Sequence, residues 1–92
     1  MYSVVKVTVT SITDHCPFYR VGDTFLIRQQ CFDPEFASPK QFCFHSLKDM
    51  YETWREVRRG EVGGSRTVAC SDEGKTVFQL ERLPDEEGEG WN

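Results

Sequence analysis

One amphipathic helix, set between segments that alternate like strands, limits most strongly how this chain can fold. The opposite side of this helix is charged, with Lys48, Glu52, Arg55 and Glu56. Because no second helical pattern is present to cover the apolar side, that side must be buried on a sheet. Its apolar side chains, which recur at spacings of three and four residues and are widened by two aromatic rings, are Cys43, Phe44, Leu47, Met50, Tyr51, Trp54 and Val57.

Both ends of this helix carry boundary signals. Ser38 is a good N-cap, Pro39 suits the first helical position, and Gln41 completes a Ser-x-x-Gln capping box. Gly60, which follows two arginines, is a favourable C-terminal pattern. The sequence therefore predicts a helix over residues 39–59, which would be roughly 30 Å long.

Strand patterns flank the helix. Residues 2–12 alternate between apolar and polar side chains, and a loop and a Val-Gly-Asp turn then lead into a second strand from Thr24 to Arg28. The next stretch, "QQCFDPEFASP", contains two prolines and little periodicity, so we expect an irregular connection of roughly ten residues. After the helix, "RTVAC", "SDEGK" and "TVFQLERL" predict a β-hairpin.

The predicted order is ββαββ, a single α+β domain over residues 1–84 with a mainly antiparallel sheet packed on one long helix. From Pro84 the sequence "PDEEGEGWN" is acidic and rich in glycine, so we expect a disordered tail over residues 85–92, with Trp91 as its one large apolar side chain. The sheet residues expected to face the helix are Val5, Val7, Val9, Phe25, Ile27, Val68, Phe78 and Leu80.

Composition narrows the classes of partner. The chain has 15 acidic and 11 basic residues and a net charge of −4, which argues against a nucleic-acid partner because phosphate binding needs a basic face. The sequence contains no run of 18 apolar residues, so no membrane span is predicted. "MYSVVKVTVT" alternates like a strand and is unlike a signal peptide. We expect a cytoplasmic protein with a protein partner, in which four cysteines are reduced, metal-bound or redox-active rather than joined in disulfides.

The cysteines contain no CxxC pair, so the local signal of a zinc finger or ribbon is absent. Strand directions nevertheless bring three of them together. If the first strand runs upward, Cys16 follows its top, and Cys70 ends an upward third strand. The helix must then descend, which places Cys43, in its second turn, at the same end. Cys31, just after the second strand, is expected at the other end.

A metal site can be proposed from this convergence. Cys16, Cys43 and Cys70 would bind the ion, with His15 or an exogenous ligand as the fourth donor. His45 lies nearly opposite Cys43 on the helix and is expected to face solvent. Two alternatives stay open: the thiols are small buried core residues, or Cys16 and Cys70 form a disulfide, which needs Cα atoms within about 7 Å and an oxidising setting.

These residues also resemble a known family. "HCP…VGD" after the first strand, a cysteine opening an amphipathic helix, and "ACSDEGKTVFQLERL" are similar to a family of small conserved hypothetical proteins of similar length, found mostly in anaerobic bacteria and archaea. The resemblance covers residues 4–83, and its most specific part is the His-Cys-Pro to Val-Gly-Asp stretch. In that family Cys-Pro commonly begins the helix and Cys-Pro-Asp-Pro follows the third strand; here these places read Cys43-Phe44 and Cys70-Ser71-Asp72.

The resemblance brings no biochemical activity with it, and Cys31 is extra to its pattern. It implies that Cys16, Cys43 and Cys70 act as a set in the cytoplasm of an anaerobe. In such a cell a set of thiolates would bind zinc or an iron–sulfur cluster.

Three functions are consistent with these patterns. The first is an accessory protein that binds a metal ion or an iron–sulfur cluster. The second is a cofactor-free interaction module with structural cysteines, in which Phe18, Tyr19 and Phe32 are the contact aromatics. The third is a thiol enzyme with Cys16 as nucleophile and His15 as base, although adjacent residues in an extended segment point apart. "GEVGGS" lacks the strand and helix context of a phosphate-binding loop.

Overall fold

The computed structural model describes residues 1–37, 39, 42–71 and 75–87. These residues form one antiparallel sheet, with strand order β3-β2-β1-β5-β4, and a single helix. The predicted α+β class is confirmed, but the order along the chain is βββαββ. No helix in this described part is long and apolar enough to cross a membrane. The elements are β1 (Tyr2–Ile12), β2 (Thr24–Arg28), β3 (Cys31–Ala37), α1 (Phe44–Arg59), β4 (Ser65–Ala69) and β5 (Thr76–Glu86).

Strand β1 lies at the centre of the sheet, between β2 and β5. The predicted alternation holds from Val5 to Val9, since Val5, Val7 and Val9 are buried, whereas Val4 next to them is buried too. Residues directly opposite each other in an antiparallel pair share a face, so the apolar residues of three strands form one continuous surface. The pairs on this surface are Val5↔Ile27, Val7↔Phe25, Val7↔Leu80 and Val9↔Phe78.

Helix α1 covers that surface. Met50, Trp54 and Val57 are buried against it, while Leu47 packs there partly buried. The predicted sheet residues all contact this core, with Ile27 and Val68 only partly buried. Tyr19 and Cys70 also belong to the core, although the sequence pattern predicted neither of them on the helix-facing surface.

Strand β3 corrects the predicted irregular connection. The pairing of Arg28 with Cys31 leaves a two-residue turn, Gln29-Gln30, in which Gln29 has φ of 57°. Such turns usually carry Asn or Gly, so the hairpin signal was missing from the sequence. Hydrogen bonds between Gln29 and Ser3 hold the turn: Gln29 N–H donates to the Ser3 carbonyl (2.7 Å), and Ser3 N–H donates to Gln29 Oε1 (3.2 Å). Pro34 is compatible with β3 because β3 is an edge strand.

The predicted start of the helix was also wrong. Helix α1 begins at Phe44, five residues after Pro39, and Cys43 is its N-cap in extended conformation without a side-chain cap. Residues 38, 40 and 41 of the predicted capping box lie outside the described residues. Strand β3 extends to Ala37, so a helix that begins at residue 39 would have to follow the strand within two residues. The C-terminus of the helix was predicted correctly, since α1 ends at Arg59 and Gly60 is its C-cap. The Gly60 N–H donates to the Val57 carbonyl at 3.1 Å.

The far end of α1 is tied to β5. Arg82 is buried, and its Nε donates to the carbonyl of Arg58 in the last helical turn at 3.0 Å. The same guanidinium pairs with Asp85. Strand β5 thus continues to Glu86, two residues into the segment for which a disordered tail was predicted. The rest of that prediction concerns residues 87–92, of which 88–92, Trp91 included, lie outside the described residues.

Candidate functional site

Three of the four cysteines surround one small cavity at one end of the sheet. Strands β1, β3 and β4 run in the same direction, so α1 must run in the opposite one, and its N-terminus lies beside the ends of β1 and β4. Cys16 follows β1, Cys43 caps α1, and Cys70 follows β4. All three line a cavity of about 30 Å³ together with His15, Tyr19 and Ser46. The cavity therefore joins residues from three separate elements.

Burial differs among the cysteines. Cys70 is buried, whereas Cys16 and Cys43 are partly buried and pack against the core. Cys31 is exposed at the start of β3, paired with Arg28, and does not line the cavity. None of these four residues, all of them described, is joined to another by a disulfide. The sequence predicted Cys43 in the second turn of the helix, but Cys43 is the N-cap residue of α1.

A closed ring of hydrogen bonds fixes the loop after β1 to the start of α1. The Cys43 N–H donates to the Tyr19 hydroxyl oxygen at 3.0 Å, and the Ser46 hydroxyl donates to the Cys43 carbonyl at 2.7 Å. Because the Ser46 hydroxyl proton already goes to the Cys43 carbonyl, the Tyr19 hydroxyl is the donor to Ser46 Oγ, at 3.0 Å. One otherwise unpaired N–H at the helix start is satisfied by this tertiary contact.

Tyr19 is held in place as a buried aromatic residue. Its ring packs edge-on against Phe78, with centroids 5.3 Å apart, and its exposed fraction is 2%. Burial raises the pKa of the Tyr19 hydroxyl above its ordinary value, although the hydrogen bonds with Ser46 and Cys43 oppose that rise. The hydroxyl is therefore protonated at neutral pH and can act as the donor to Ser46.

A second hydrogen-bond network joins the end of β4 to the same turns of α1. The carboxylate of Asp49 accepts from the Ser71 N–H at 2.9 Å and from the Ser71 hydroxyl at 3.1 Å. The bond from the Ser71 backbone is the main cause that lowers the pKa of Asp49. Because the Ser71 hydroxyl proton goes to Asp49, Lys48 Nζ and His45 Nε2 are donors to Ser71 Oγ, at 3.2 and 3.1 Å.

This network brings a group of possible metal ligands together. The donor atoms of His45, Asp49 and Cys70 all lie within 4.8 Å of one another. His45 and Asp49 are four residues apart and so lie on one face of α1, next to the buried Cys70. The i, i+4 spacing of His45 and Asp49 is visible in the sequence, but neither residue was predicted as a ligand. His45 was expected to face solvent, and it is exposed.

Cys70 belongs to two different sets of possible ligands. Cys16, Cys43 and His15 lie with it around the cavity, but the compact donor group among the described residues consists of His45 and Asp49 with Cys70. Cys70 is thus shared by both sets. The structure brings the predicted residues to one place, and whether they bind a metal stays a prediction.

No protein-family model, curated protein or solved structure matches this chain. The resemblance to small proteins of anaerobes therefore stays a hypothesis. Function has to be inferred from the chemistry of the residues around Cys70.

Proposed function

We propose that this chain is a small accessory protein that binds one divalent transition-metal ion at Cys70. The observation that carries the proposal is the approach of the His45, Asp49 and Cys70 donor atoms to within 4.8 Å of one another. In a tetrahedral site with bonds of about 2.0–2.3 Å, ligand atoms lie roughly 3.3–3.8 Å apart. Small side-chain movements would therefore bring these donors to bonding distance.

The donor types favour zinc or a similar ion. A thiolate, an imidazole and a carboxylate are all ligands of Zn²⁺, and soft thiolates disfavour Mg²⁺ and Ca²⁺. Three protein ligands leave one position open for water or for a group from a partner protein. Such an incomplete site suits a protein that delivers or presents its ion, so the proposed role includes a protein partner and a reducing compartment.

The size of the cavity bears on the choice between an ion and a cluster. Its volume of about 30 Å³ is close to that of one water molecule. His45 and Asp49 do not line this cavity, so its volume bears on the three-thiolate alternative. A four-iron cluster held by Cys16, Cys43 and Cys70 has eight iron and sulfide atoms and would require the loop that carries Cys16 to move away. We therefore favour a mononuclear site, with Cys16 and Cys43 as nearby alternative thiolates.

Lys48 opposes cation binding in the present arrangement. Its Nζ lies 3.1 Å from Asp49 Oδ1, so an ion that binds Asp49 must compete with this ammonium group. Since Lys48 is largely exposed, its side chain can move into solvent at little cost. Replacing Lys48 with Met should for this reason tighten metal binding.

The test is metal analysis of protein purified without oxygen, followed by titration with Co²⁺, whose thiolate charge-transfer absorption reports bound cysteines. We expect one ion per chain, with Cys70→Ser abolishing binding. His45→Ala and Asp49→Asn should each weaken binding by more than about 10-fold, since even residues outside the ligand shell contribute that much. Cys31→Ser is the matched control and should bind normally.

A second pair of variants separates the two ligand sets. If Cys16→Ser and Cys43→Ser weaken binding while His45→Ala and Asp49→Asn do not, the three-thiolate site predicted from the sequence is the correct one. A brown protein with broad visible absorption would indicate an iron–sulfur cluster instead. A wild-type chain that binds no Zn²⁺, Co²⁺ or iron at equimolar concentrations would reject the proposed function.

The second candidate, a cofactor-free interaction module, is favoured by a different observation. A large groove lies between α1 and strands β2 and β3, and none of the cysteines lines it. Binding of a partner in this groove does not by itself exclude a metal site, because the groove residues do not include His45, Asp49 or Cys70. The thiol-enzyme alternative stays third, since neighbouring side chains such as His15 and Cys16 point apart in an extended segment.

A further inference from the structure

A wide groove runs along α1 on the side that faces β2 and β3. Its volume is about 950 Å³, at the upper end of the usual range for ligand sites. Leu47 lines one part of it and Arg59, in the last helical turn, lines another. Twelve residues of helix separate these positions, so the groove follows α1 for about 18 Å. That length matches about five residues of extended chain.

The groove is basic on a protein that is acidic overall. Arg55, Arg58 and Arg59 line it, and the described lining residues include no Asp or Glu, although the whole chain has a net charge of −4. Within the part of the chain that the structure describes, Arg58 and Arg59 have no carboxylate within ion-pair distance. Arg55 has only an exposed contact with Glu52 at 3.5 Å. Two or three positive charges are therefore available to a ligand.

Aromatic rings form the walls between these charges. Phe32 and Tyr51 line the groove and are 37% and 54% exposed. The guanidinium groups of Arg55 and Arg58 lie 5.9 and 5.2 Å from the ring centroids of Tyr51 and Trp54, so both cations are in contact with aromatic rings of the groove. Charged and apolar contacts thus alternate along one surface.

Trp54 contributes a further observation. It lines the groove, and its indole nitrogen is buried and has no hydrogen-bond partner among the described residues. A buried N–H without a partner is uncommon and costs free energy. Every residue of a peptide carries a carbonyl oxygen that could satisfy this nitrogen, but only after the side chains that cover the nitrogen move aside.

We propose that this groove binds an extended acidic peptide segment of a partner protein, with one or two apolar side chains as anchors. Carboxylates of the peptide would pair with Arg55, Arg58 and Arg59, and its apolar side chains would pack between Phe32 and Tyr51. The length of the groove favours a peptide over a small anion, which would reach only part of it. This surface is separate from Cys70, so it does not depend on the proposed metal site.

The test is fluorescence anisotropy with a labelled synthetic peptide in which glutamates alternate with phenylalanine and leucine. We expect saturable binding that weakens as salt is raised. The double variant Arg55→Glu/Arg59→Glu should weaken it by at least about 10-fold, which corresponds to 1.4 kcal/mol. Arg20→Glu, in the loop after β1, is the matched control and should bind like the wild type. Arg58 is left unchanged because its Nε donates to Ser3 Oγ at 2.9 Å and supports the fold.

Other results would overturn the proposal. A peptide with lysine in place of glutamate that binds equally well would show that charge does not select the ligand, and an Arg20→Glu variant as weak as the double variant would show that the groove is not the site.

Two further results would identify a different occupant of the groove. Binding to a chain of residues 1–87 but not to the full chain would identify the chain's own C-terminal segment as the occupant. Self-association that the double variant abolishes would identify a second copy. Contact should also shift the NMR signal of the Trp54 indole N–H, and an unchanged signal with bound peptide would place the peptide elsewhere.

Discussion

Asp49 connects two elements through a single carboxylate. It accepts two hydrogen bonds from Ser71 at the end of β4 and one from Lys48 on its own helix. The bond from the Ser71 N–H favours the charged form and lowers the pKa of Asp49 below that of an exposed aspartate. Asp49 therefore has a structural role even when no ion is bound.

This role predicts a pH-dependent loss of stability in Asp49→Asn. A lowered pKa means that the carboxylate stabilises the folded state above the pKa of the unfolded chain, about 3.9, and that this is lost as the pH falls through the folded-state pKa. At pH 7 the variant should be less stable by about 1 kcal/mol, the difference between a charged and a neutral hydrogen-bond acceptor. Urea denaturation at pH 7 and pH 3 measures this, and the difference in the free energy of unfolding between the two proteins should be smaller at pH 3. Glu52→Gln, in an exposed pair, should show little effect, and a gap that does not vary with pH would contradict the prediction.

At the site, the sequence could predict position but not contacts. The meeting of Cys16, Cys43 and Cys70 follows from strand directions alone, because an antiparallel sheet determines which segment ends lie together. The bond between Tyr19 and the helix start could not be read from the sequence, since the two residues are 24 positions apart and neither carries a motif. The same holds for the approach of Asp49 to Ser71, which depends on the angle at which α1 crosses the sheet.

Among the elements, α1 depends most on one side chain. Trp54 is only 7% exposed and belongs to the cluster that joins the helix to β1 and β5. Trp54→Ala should lower the free energy of unfolding by about 3–5 kcal/mol, the usual cost of removing a buried aromatic side chain. Chemical denaturation followed by circular dichroism measures it. Tyr51→Ala, one turn away and 54% exposed, is the control and should cost less than about 1 kcal/mol. Equal losses in the two variants would show that Trp54 is not the main contact.

Periodicity predicted the elements with regular alternation and missed those that depend on tertiary contacts. Strand β2 and the C-terminus of α1 were predicted at the observed residues, because alternation and a terminal glycine are local signals. Strand β3 was missed since its turn uses Gln29 at positive φ, held by Ser3 from a different strand. The capping signal at Ser38 misled for a related reason: pairing of β3 with β2 continues to Ala37 and leaves too little chain for a helix that starts at residue 39.

For the molecule as a whole, truncation can test how far the C-terminal segment contributes to the stability of the fold. Asp85 pairs with Arg82, and Glu86 lies opposite Tyr2 with its carboxylate 3.4 Å from Arg28. Removing residues 88–92, "GEGWN", should shift the melting temperature by no more than about 2 °C, since this glycine-rich segment has Trp91 as its one apolar side chain. Ending the chain at residue 84 should cost about 1–2 kcal/mol, or roughly 4–16 °C. Thermal unfolding of the two truncated chains measures the difference, and equal melting temperatures would show that β5 effectively ends before Asp85.

The pairing of β1 with β5 also determines when the domain can form during its synthesis. β1 leaves the ribosome before the other strands of this sheet, yet one of its two neighbours is β5, the last of the described strands. Until β5 has emerged, β1 has hydrogen-bonding partners on one side only, and the buried face of α1 lacks the Phe78 and Leu80 surface on which it packs. Contacts between residues so distant in sequence slow folding. A nascent chain that pauses before β5 therefore exposes an unpaired strand edge and an uncovered apolar helix, which are the features that chaperones bind and that lead to aggregation.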